Sequence, residues 1–549
     1  MMDSKDVEAE IHPLKNEDGE SQENLGNQTE KEDSFKKNTP PQSRLSRCRT
    51  VAFFLSIFTC LFVIFIVSFI IPCPERPVSQ RTWRISYNTA VAYNFMAMED
   101  INRDRIQDVL FLYKNVNSSN NPNGSCGNDG VPSPCTVLAA VSGANGSVLW
   151  EMPVAQDVAL VECAVPQPQD SGASSACVLV GVSGSFTAVS SLTGAVLWSR
   201  SSSFGGNASV LSPLLHVPDG DGDGTPDLLV LTREGTEVSG YLHSGGTGLQ
   251  IGRRGSLGLD GESGALLHVT RTGAHYVLLP CASSLCGCSL KRLYEEVTGR
   301  GSLLRTDPVW ESRVGTGTPL LSSGAVRHLM HIPGKTGPDV LLVSSNACEL
   351  LDGQGLTRSW AIGTAQVLRK PTLGHYTPDT VAVVIENGTG VDRQVLLLDL
   401  RSGAVLWSQA LWGHPGSPRS ASLLTADGRS AFFFWGLHIG ENQTVQGCSE
   451  GPPVPAWGAA GAGVGKGVRE KPLLVRVPTV VLLEPSRHAA CILLTGPAGP
   501  AAPGLVSVAK HKVRDLVPGG RVVRLGAGGP ESDQAVRDHF SRLRYRSAA

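Results

Sequence analysis

Two stretches of the chain, LTGAVLWS at residues 192–199 and RSGAVLWS at residues 401–408, share the pentapeptide GAVLW, and a third copy, GSVLW, occupies residues 146–150. A glycine in such a turn supplies the positive φ that a tight connection needs. The apolar strand that follows ends in a tryptophan, whose ring is large enough to pack between neighbouring sheets. The pentapeptide therefore predicts a repeated unit of a turn followed by a strand.

Weaker copies lie between these three: TGLQI at residues 247–251, TGRGS at residues 298–302 and GLTRSW at residues 355–360. The anchoring glycines are separated by 48, 54, 51, 56 and 48 residues, and they are Gly146, Gly194, Gly248, Gly299, Gly355 and Gly403. A period near 50 residues in a chain of short apolar runs is typical of propeller blades, each a four-stranded sheet. We therefore expect an all-β fold, a β-propeller of about seven blades.

A second element recurs upstream of these turns. An aspartate opens an apolar, strand-like run at Asp108, Asp227, Asp339 and Asp379. The interval from Asp108 to its turn is longer than the interval from Asp227, because residues 117–135 form a polar insertion. The aspartate and the glycine turn therefore belong to one repeating unit.

Two of the loops before these strands carry a full set of oxygen ligands. The side chains at positions 1, 3, 5 and 9 are Asp100, Asn102, Asp104 and Asp108 in the first loop, and Asp219, Asp221, Asp223 and Asp227 in the second. Backbone carbonyls at position 7 would come from Ile106 and Thr225. Such a set suits Ca²⁺, a hard cation that takes six to eight oxygen ligands. The sequence predicts two structural calcium sites; the alternative is an acidic surface turn that binds no metal.

An EF-hand is excluded, because position 12 of that motif requires a bidentate glutamate and Phe111 and Val230 stand there. The two loops also differ at position 6, where the chain must turn tightly. Gly224 adopts that turn freely, whereas Arg105 must strain or distort. The third and fourth units have lost the ligand set, since His331, Pro333 and Lys335 precede Asp339, and Pro371, Leu373 and His375 precede Asp379. We expect those loops to be metal-free.

The N-terminal region contains an uninterrupted apolar run from Val51 to Ile71 without a charged side chain. At about 1.5 Å per helical residue the run spans roughly 30 Å, the hydrocarbon thickness of a bilayer. A cleaved signal peptide is the rival interpretation, but its apolar part is shorter and lies at the extreme N-terminus. We expect one transmembrane helix over residues 51–71.

Orientation follows from the residues that flank this helix. Basic residues stay on the cytoplasmic side, and five precede the helix closely: Lys36, Lys37, Arg44, Arg47 and Arg49. The N-terminus is therefore expected inside, and the protein is a type II single-pass membrane protein of the cell surface or secretory pathway. Six Asn-x-Ser/Thr sequons lie on the predicted outer side and favour a glycoprotein; their asparagines are Asn117, Asn123, Asn145, Asn207, Asn387 and Asn442.

These observations divide the chain into four parts. Residues 1–50 are a polar tail, disordered and cytoplasmic, and residues 51–71 are the transmembrane helix. A stalk over residues 72–84 leads to the propeller ectodomain over residues 85–549, in which the Gly/Ala/Pro-rich stretch 445–472 is a flexible segment.

Most of the 13 cysteines lie in the predicted ectodomain, where the compartment is oxidising. Two pairs bracket short loops and are expected as disulfides, Cys126 with Cys135 and Cys163 with Cys177. Three close cysteines, Cys281, Cys286 and Cys288, cannot be paired from spacing alone, and no histidine completes a zinc site around them. The pairing of Cys348, Cys448 and Cys491 also stays open.

The pattern Asp-x-Asp/Asn-x-Asp-x-x-x-Asp before a strand resembles the FG-GAP repeat of the integrin α-chain propeller. The whole layout, with its short N-terminal tail, resembles the type II membrane proteins of the "family with sequence similarity 234" group. This resemblance covers nearly the whole chain and implies a propeller with calcium-bearing loops. It does not imply integrin function, because the chain has no inserted ligand-binding domain and the membrane topology is reversed.

A net charge of -2 gives no reason to expect a nucleic-acid partner. No Ser/His/Asp or paired-carboxylate constellation stands out, so we expect a non-catalytic protein that binds an unidentified protein ligand or co-receptor, with no small-molecule substrate. One enzyme alternative is a type II glycosyltransferase that uses the D-x-D motif Asp219-Gly220-Asp221. Another is a quinoprotein dehydrogenase, whose blades also carry Gly…Trp turns, although that family's adjacent Cys-Cys pair is missing here.

Overall fold

The computed structural model describes residues 44–70, 80, 82–116, 134–154, 157–166, 175–201, 204, 208–314, 320–322, 324–334, 337–388, 392–412, 419–438, 479–483, 489–497, 503–517, 522–525 and 532–546. Two compact units make up the chain, Met1–Glu75 and Arg76–Ala549. The first unit contains helix α1, Arg44–Ile70. Its stretch Arg49–Ile66 has a mean hydropathy of 2.3 and no buried residue, so the helix is long and apolar enough to cross a membrane.

The second unit consists mainly of antiparallel sheets. Four consecutive strands near its start are β1 Thr82–Glu99, β2 Asp108–Asn115, β3 Cys135–Val141 and β4 Val148–Val154. The next sheet contains β5 Val158–Pro166, β6 Ser175–Gly181, β7 Ser185–Ser190 and β8 Val196–Ser201. The third contains β9 Ser209–Val217, β10 Asp227–Glu234, β11 Glu237–His243 and β12 Gln250–Ser256. Strand β1 thus begins within the region that the sequence assigned to the stalk.

The sheets continue in the same order along the chain. The fourth contains β13 Leu266–Val269, β14 His275–Cys281, β15 Ser284–Ser289 and β16 Leu321–Ser322. The fifth contains β17 Val326–Pro333, β18 Pro338–Ser344, β19 Ala347–Leu351 and β20 Arg358–Gly363. The sixth contains β21 Thr372–Thr377, β22 Thr380–Gly388, β23 Asp392–Asp399, β24 Val405–Trp412 and, later in the chain, β27 Leu437–His438.

The remaining strands are β25 Ala421–Leu424, β26 Ser430–Phe433, β28 Thr479–Leu483, β29 Ala489–Thr495 and β30 Gly504–Lys512. Strands β25 and β26 form a two-stranded sheet, whereas β28, β29 and β30 join the first four strands in a seven-stranded sheet. Short helices connect or cover the sheets: α2 Leu290–Thr298, α3 Pro308–Val314, α4 Val513–Leu516 and α5 Asp533–Ser541.

The all-β prediction is confirmed, but the prediction of about seven blades is wrong, because the described residues form six sheets of at least four strands. The reason lies in β1, which is 18 residues long. Its first part pairs with β30, with Trp83 opposite Lys510, and its last part pairs with β2, with Glu99 opposite Asp108. One strand therefore joins what a repeat count treats as separate units, and it closes the propeller by pairing the two ends of the domain.

The first strands of successive sheets contact one another, β5 with β9, β9 with β13 and β13 with β17. In a propeller these innermost strands surround the central channel. The second strand of each sheet is buried along most of its length, as β10 (DLLVLTRE) and β18 (PDVLLVS) illustrate. A strand buried on both faces is apolar throughout instead of alternating, which explains the apolar runs that follow the aspartates.

Neighbouring sheets are held together by tryptophans placed over glycine turns. A Cβ atom built on Gly194 would lie 2.7 Å from the ring of Trp150, which belongs to the preceding sheet. The Trp150 ring Nε1 donates to the Ser191 carbonyl, 3.0 Å away, in the same turn. The same packing between sheets pairs Trp198 with Gly248 and Trp360 with Gly403, and Trp83 covers Gly146 in the same way within the seven-stranded sheet. The prediction that these tryptophans pack between blades is confirmed.

Two of the six glycines in the repeat do not form this turn. Gly299 is the left-handed residue that caps the C-terminus of α2, so the TGRGS copy is a helix end instead of a blade turn. Gly355 does not have a positive φ, and its neighbour Leu356 takes the left-handed conformation instead, with φ 48°. The tryptophan that donates to this turn, Trp310, comes from α3, and its Nε1 lies 3.0 Å from the Gln354 carbonyl.

The structure contains the predicted disulfide between Cys163 and Cys177, which joins β5 to β6. It also pairs Cys281 with Cys286 across the β14–β15 hairpin, which spacing alone left open. Cys135 is disulfide-bonded, and its predicted partner Cys126 lies outside the described residues. Cys60, Cys288, Cys348 and Cys491 are free thiols. Residues 445–472 and Cys448 also lie outside the described residues.

Candidate calcium site

The two predicted ligand loops have the same backbone. Positions 4 and 6 have positive φ in both, 59° at Arg103 and 68° at Arg105 in the first loop, 80° at Gly222 and 84° at Gly224 in the second. The left-handed conformation costs an L-residue roughly 1–2 kcal/mol. The expected difference at position 6 is therefore present: glycine adopts the loop without strain, and arginine adopts it at a cost.

The hydrogen bonds inside the two loops also correspond. The position 6 N–H donates to the position 1 carboxylate, Arg105 to Asp100 at 3.0 Å and Gly224 to Asp219 at 2.8 Å. The position 2 N–H donates to the position 9 carboxylate, at 2.9 Å in the first loop and 2.8 Å in the second. The repeated pattern in the sequence therefore corresponds to one repeated loop structure.

The second loop brings three carboxylates together. One oxygen each of Asp219, Asp221 and Asp227 lies within 4.8 Å of the other two. Asp227 is fully buried, and its Oδ1 is a buried atom without a hydrogen-bond partner. A buried unpartnered carboxylate oxygen beside two other carboxylates is the donor set that a hard cation takes.

Asp223 and Thr225 contribute differently from the prediction. The two oxygens of Asp223 accept hydrogen bonds from the Thr225 N–H and the Ser244 hydroxyl, both at 2.7 Å, and Asp223 does not belong to the carboxylate group. The Oγ1 of Thr225 is buried without a partner, although the sequence assigned this residue a ligand role only through its carbonyl.

A residue outside the loop holds the carboxylate of Asp227 in place. The hydroxyl of Tyr294, on helix α2, donates to Asp227 Oδ2 and also lies 3.0 Å from the Pro218 carbonyl. A Cβ atom on Gly220 would lie 2.1 Å from the Tyr294 ring, so glycine is required at position 2. The loop motif does not include Tyr294, but Leu290, Leu293, Tyr294 and Val297 form the buried face of α2. That helical spacing was visible in the sequence.

The electrostatics of the second loop disfavour the charged forms of two of its carboxylates, Asp227 and Asp221, when no cation is bound. Burial raises the pKa of Asp227 to about 6, against the hydrogen bonds from Tyr294 and Gly220. Burial also raises the pKa of Asp221, and the charges of Asp223 and Asp219 add to that effect. A bound cation would offset both contributions.

In the first loop, both carboxylate oxygens of the strand-opening aspartate, Asp108, accept hydrogen bonds, unlike those of Asp227 in the second loop. Asp108 Oδ2 accepts from the N–H groups of Ile101 and Asn102, at 2.9 and 3.1 Å, and Oδ1 accepts from the Gly143 N–H at 2.9 Å. Asp104 accepts from the Ile106 N–H at 2.7 Å. The loop retains one buried oxygen without a partner, Asp100 Oδ1. Within the described residues its three carboxylates do not form a group of the kind seen in the second loop.

The two loops expected to be metal-free are built differently. Asp339 Oδ1 accepts from the Gly353 N–H at 3.1 Å, the same contact that Gly143 makes with Asp108. Asp379 is exposed in a turn so short that Thr377 pairs directly with Thr380. Neither loop presents further acidic side chains beside its aspartate.

Two of the six predicted glycosylation asparagines lie in the described residues. Asn145 is exposed in the turn before Gly146, and its Oδ1 accepts from the Ser147 N–H at 2.8 Å. Asn387 is half-buried, and its Oδ1 accepts from the N–H groups of Ala365 and Gln366. Asn117, Asn123, Asn207 and Asn442 lie outside the described residues.

Fold and loops together define a class: a β-propeller protein with acidic loops between the first and second strands and one helix long and apolar enough to cross a membrane. The sequence profile of the FAM234A/B beta-propeller family matches residues 83–451 and 475–546. The chain belongs to this family, and the predicted membership is confirmed. The description of the loops as FG-GAP repeats stays a prediction.

Several relatives match over their full length. Protein FAM234A of Homo sapiens is 65% identical over 566 aligned residues, which cover 100% of both chains. Protein FAM234A of Mus musculus is 62% identical, again over 100% of both chains. Protein FAM234B of Mus musculus is more distant, 27% identical over 71% of this chain and 64% of the relative. None of these names states a catalytic activity.

Solved structures resemble the chain only weakly. BamB from Moraxella catarrhalis has a TM-score of 0.37 and 11% identity, and the match covers 78% of this chain and 100% of that one. A quinohemoprotein alcohol dehydrogenase from Pseudomonas putida HK5 has a TM-score of 0.38 and 11% identity over 72% of this chain and 73% of that one. Likenesses at this level carry no information about activity.

Proposed function

We propose that the chain is a non-catalytic type II membrane glycoprotein of the cell surface or secretory pathway, whose propeller is stabilised by calcium and binds a protein partner. The observation that carries the calcium part is the group formed by the carboxylates of Asp219, Asp221 and Asp227, in which Asp227 is buried and has an unpartnered Oδ1. Asp223, Thr225 and a water molecule would complete the oxygen shell. The first loop, Asp100 to Asp108, is a second and weaker site.

The distribution of hydrogen bonds supports a metal at the second loop in preference to a purely structural aspartate. In Asp108 and Asp339 the Oδ1 atom is held by a glycine N–H. In Asp227 the same atom has no such partner, although the residue is fully buried. Leaving a buried polar atom unsatisfied costs about 1–3 kcal/mol, and coordination to a cation removes that cost.

The proposed membrane orientation rests on the basic residues before the apolar run Val51 to Ile71 and on the exposed asparagine Asn145. Calcium outside the cytosol is abundant enough to occupy sites with dissociation constants of about 10⁻⁴–10⁻³ M, as in other extracellular modules. A weak site in this loop would therefore be filled if the propeller lies outside the cytosol, as we propose.

Partner binding rests on the surface at the end of the strands where the acidic loops lie. The glycine turns occupy that end too, and exposed apolar side chains recur in them: Val148 is 49% exposed, Val196 52% and Val405 50%. Repeated exposed apolar groups rimmed by polar loops are typical of a protein-binding surface. Propellers commonly bind proteins through such loops, and the proposal of a protein partner uses this analogy at the level of the fold.

The calcium part is tested by thermal unfolding of the detergent-purified protein in calcium and in chelator. We expect chelation to lower the melting temperature, because a ligand at a hundred times its dissociation constant stabilises the native state by about 2.7 kcal/mol. Asp221→Ala should lose most of this response. Asp339→Asn is the matched control: it alters a strand-opening aspartate of a loop without other carboxylates, and its calcium response should equal that of the wild type.

Identical melting in calcium and in chelator would overturn the calcium part and return attention to the D-x-D motif at Asp219-Gly220-Asp221. In that case the glycosyltransferase alternative expects manganese-dependent hydrolysis of a nucleotide sugar, abolished by Asp219→Ala.

A further inference from the structure

The end of the inner strands opposite the acidic loops carries a concentration of basic side chains. Arg327 and His328 lie at the start of β17. Arg369 and Lys370 immediately precede β21, and Arg419 precedes β25. These strands begin three successive sheets and line the central channel at its entry, whereas the acidic loops follow the last residues of inner strands.

One part of this basic cluster is held by a buried ion pair. Arg393, on β23, donates from Nη1 to Glu386 Oε2 at 2.7 Å, and both residues are buried. The Arg369 Nε lies 4.0 Å from the same Glu386 oxygen. The other carboxylate oxygen accepts from the Ser420 N–H at 3.0 Å, which fixes the chain next to Arg419. One buried carboxylate therefore organises three arginines, and its single charge cannot balance them.

The remaining cations extend this excess of positive charge towards the channel. Arg327, Lys370 and Arg419 are exposed, and among the residues that the structure describes they form no ion pair. Their charges act on the same neighbour: burial, together with the charges of Lys370, Arg327 and Arg419, lowers the pKa of His328 to about 4. Burial and the charges of Arg393 and Arg419 also lower the pKa of Arg369, whereas the charge of Glu386 raises it.

The charge of Lys370 also acts on a carboxylate of the second sheet. Burial raises the pKa of Glu162, on β5, and the charge of Lys370 opposes this rise. Strand β5 begins the second sheet along the chain and β21 the sixth, so Glu162 and Lys370 belong to different sheets. This end of the channel thus holds two carboxylates, Glu162 and Glu386, and five cationic side chains, which are those of Arg327, Arg369, Lys370, Arg393 and Arg419.

We propose that this end of the channel binds a small phosphate-like anion. Arg327, Lys370 and Arg419 supply the direct contacts, and Arg369 is held behind them by Glu386. Anions with several oxygens accept charge-assisted hydrogen bonds from arginine and lysine, and such bonds are roughly twice as strong as neutral ones. The site is separate from the acidic loops, which lie at the other end of the inner strands, and it does not depend on calcium.

The test is a calorimetric titration of the full-length, detergent-purified protein with inorganic phosphate, in calcium-free buffer at an ionic strength held constant with sodium chloride. Arg327→Gln and Lys370→Gln should each weaken binding about tenfold, the loss expected for one hydrogen bond to a charged group. Arg271→Gln is the control, because Arg271 is an exposed arginine in the turn that follows inner strand β13. Its affinity should equal that of the wild type.

Asp221→Ala should also bind phosphate as tightly as the wild type, since its loop lies at the other end of the strands. The side chains of Arg327, Lys370 and Arg271 are exposed, so the melting temperatures of these three variants without phosphate should equal that of the wild type. Absence of phosphate binding by the wild type would overturn the proposal. Equal losses in Lys370→Gln and Arg271→Gln would overturn it too, because they would mean that phosphate responds only to net charge.

Discussion

At the scale of single residues, the strand-opening aspartate has two separable uses. In Asp108 and Asp339 the Oδ1 atom ties the loop to the glycine turn of the same sheet, through Gly143 and Gly353. In Asp227 that oxygen is unpartnered, and one oxygen of the same carboxylate lies within 4.8 Å of oxygens of Asp219 and Asp221. The repeated aspartate is thus first a structural residue, and the second loop adds the oxygens that turn it into a candidate ligand.

Tyr294→Phe tests how the second loop is positioned. The substitution removes the hydroxyl that bonds Asp227 Oδ2 and the Pro218 carbonyl, and it leaves every carboxylate in place. Groups that orient a metal ligand typically contribute tenfold or more to affinity. We expect calcium affinity, measured by titration calorimetry, to fall about tenfold.

Tyr276→Phe is the control for this change. Its hydroxyl bonds Glu311 at 3.0 Å and the Asp307 carbonyl at 3.3 Å, away from the acidic loop. Both variants leave buried partners of the hydroxyl unsatisfied and should lose about 1–3 kcal/mol in the free energy of unfolding. Equal calcium affinities in the two variants would show that Tyr294 has no part in the site.

The sequence predicted the carboxylates of the second loop because the ligands of such a loop are close together in the chain. It could not separate Asp223 from the others, since the Ser244 hydroxyl that engages it lies in the following turn. Tyr294 was missed for the same reason: it reaches the loop from helix α2, a different part of the repeat. Contacts that depend on how two elements pack are not encoded in a local motif.

At the scale of elements, the sheets are coupled by the tryptophan-over-glycine packing. Each ring covers a turn of the next sheet so closely that no side chain fits at the glycine, as at Gly194 under Trp150. The ring Nε1 bond to a carbonyl of the same turn fixes the orientation. These contacts explain why glycine and tryptophan recur together in the sequence.

Gly194→Ala tests this coupling. The added Cβ would lie 2.7 Å from the Trp150 ring at a residue with φ of 71°. We expect a loss of about 1–2 kcal/mol from the left-handed conformation and about 1–3 kcal/mol more from overpacking. The measurement is the urea midpoint of the purified protein.

Gly235→Ala separates the two costs, because Gly235 also has a positive φ of 63° but has no atom within 4 Å of an added Cβ. It should lose only the conformational part. If both variants shift the midpoint equally, the close contact with Trp150 contributes nothing to stability.

The repeat in the sequence identified four of these turns and failed at two. A threonine-glycine pair also ends helix α2 at Gly299, and the local sequence cannot distinguish a helix cap from a hairpin turn. In the following unit Leu356 takes the left-handed conformation and Trp310 arrives from a helix. Turn chemistry predicts where the chain reverses, but the partner element decides which kind of reversal forms.

At the scale of the whole molecule, the domain is closed by β1. Its pairing with β30 brings residues from the two ends of the domain side by side, with Thr82 opposite His511. Counting glycines along the chain could not reveal this, because the closing strand has no glycine turn of its own. The blade count was therefore wrong, although the fold class was correctly predicted.

The proposed topology makes a prediction about modification. If the propeller lies outside the cytosol, the exposed Asn145 should carry an N-glycan. An endoglycosidase should lower the apparent mass of the protein made in cultured cells, and Asn145→Gln should reduce the size of that shift. Asn27 heads a sequon in the tail before helix α1, and Asn27→Gln is the control that should change nothing. A wild-type mass that the enzyme leaves unaltered would place the propeller in the cytosol.

The central claim is that the second loop, Asp219 to Asp227, binds calcium, and direct calcium titration of the chelator-treated, full-length protein tests it most directly. The account predicts a site with a dissociation constant of about 10⁻⁴–10⁻³ M. Asp221→Ala should abolish it, whereas Asp339→Asn should bind as the wild type does. A wild-type protein that takes up no calcium, or an Asp221→Ala protein with an unchanged isotherm, would contradict the claim.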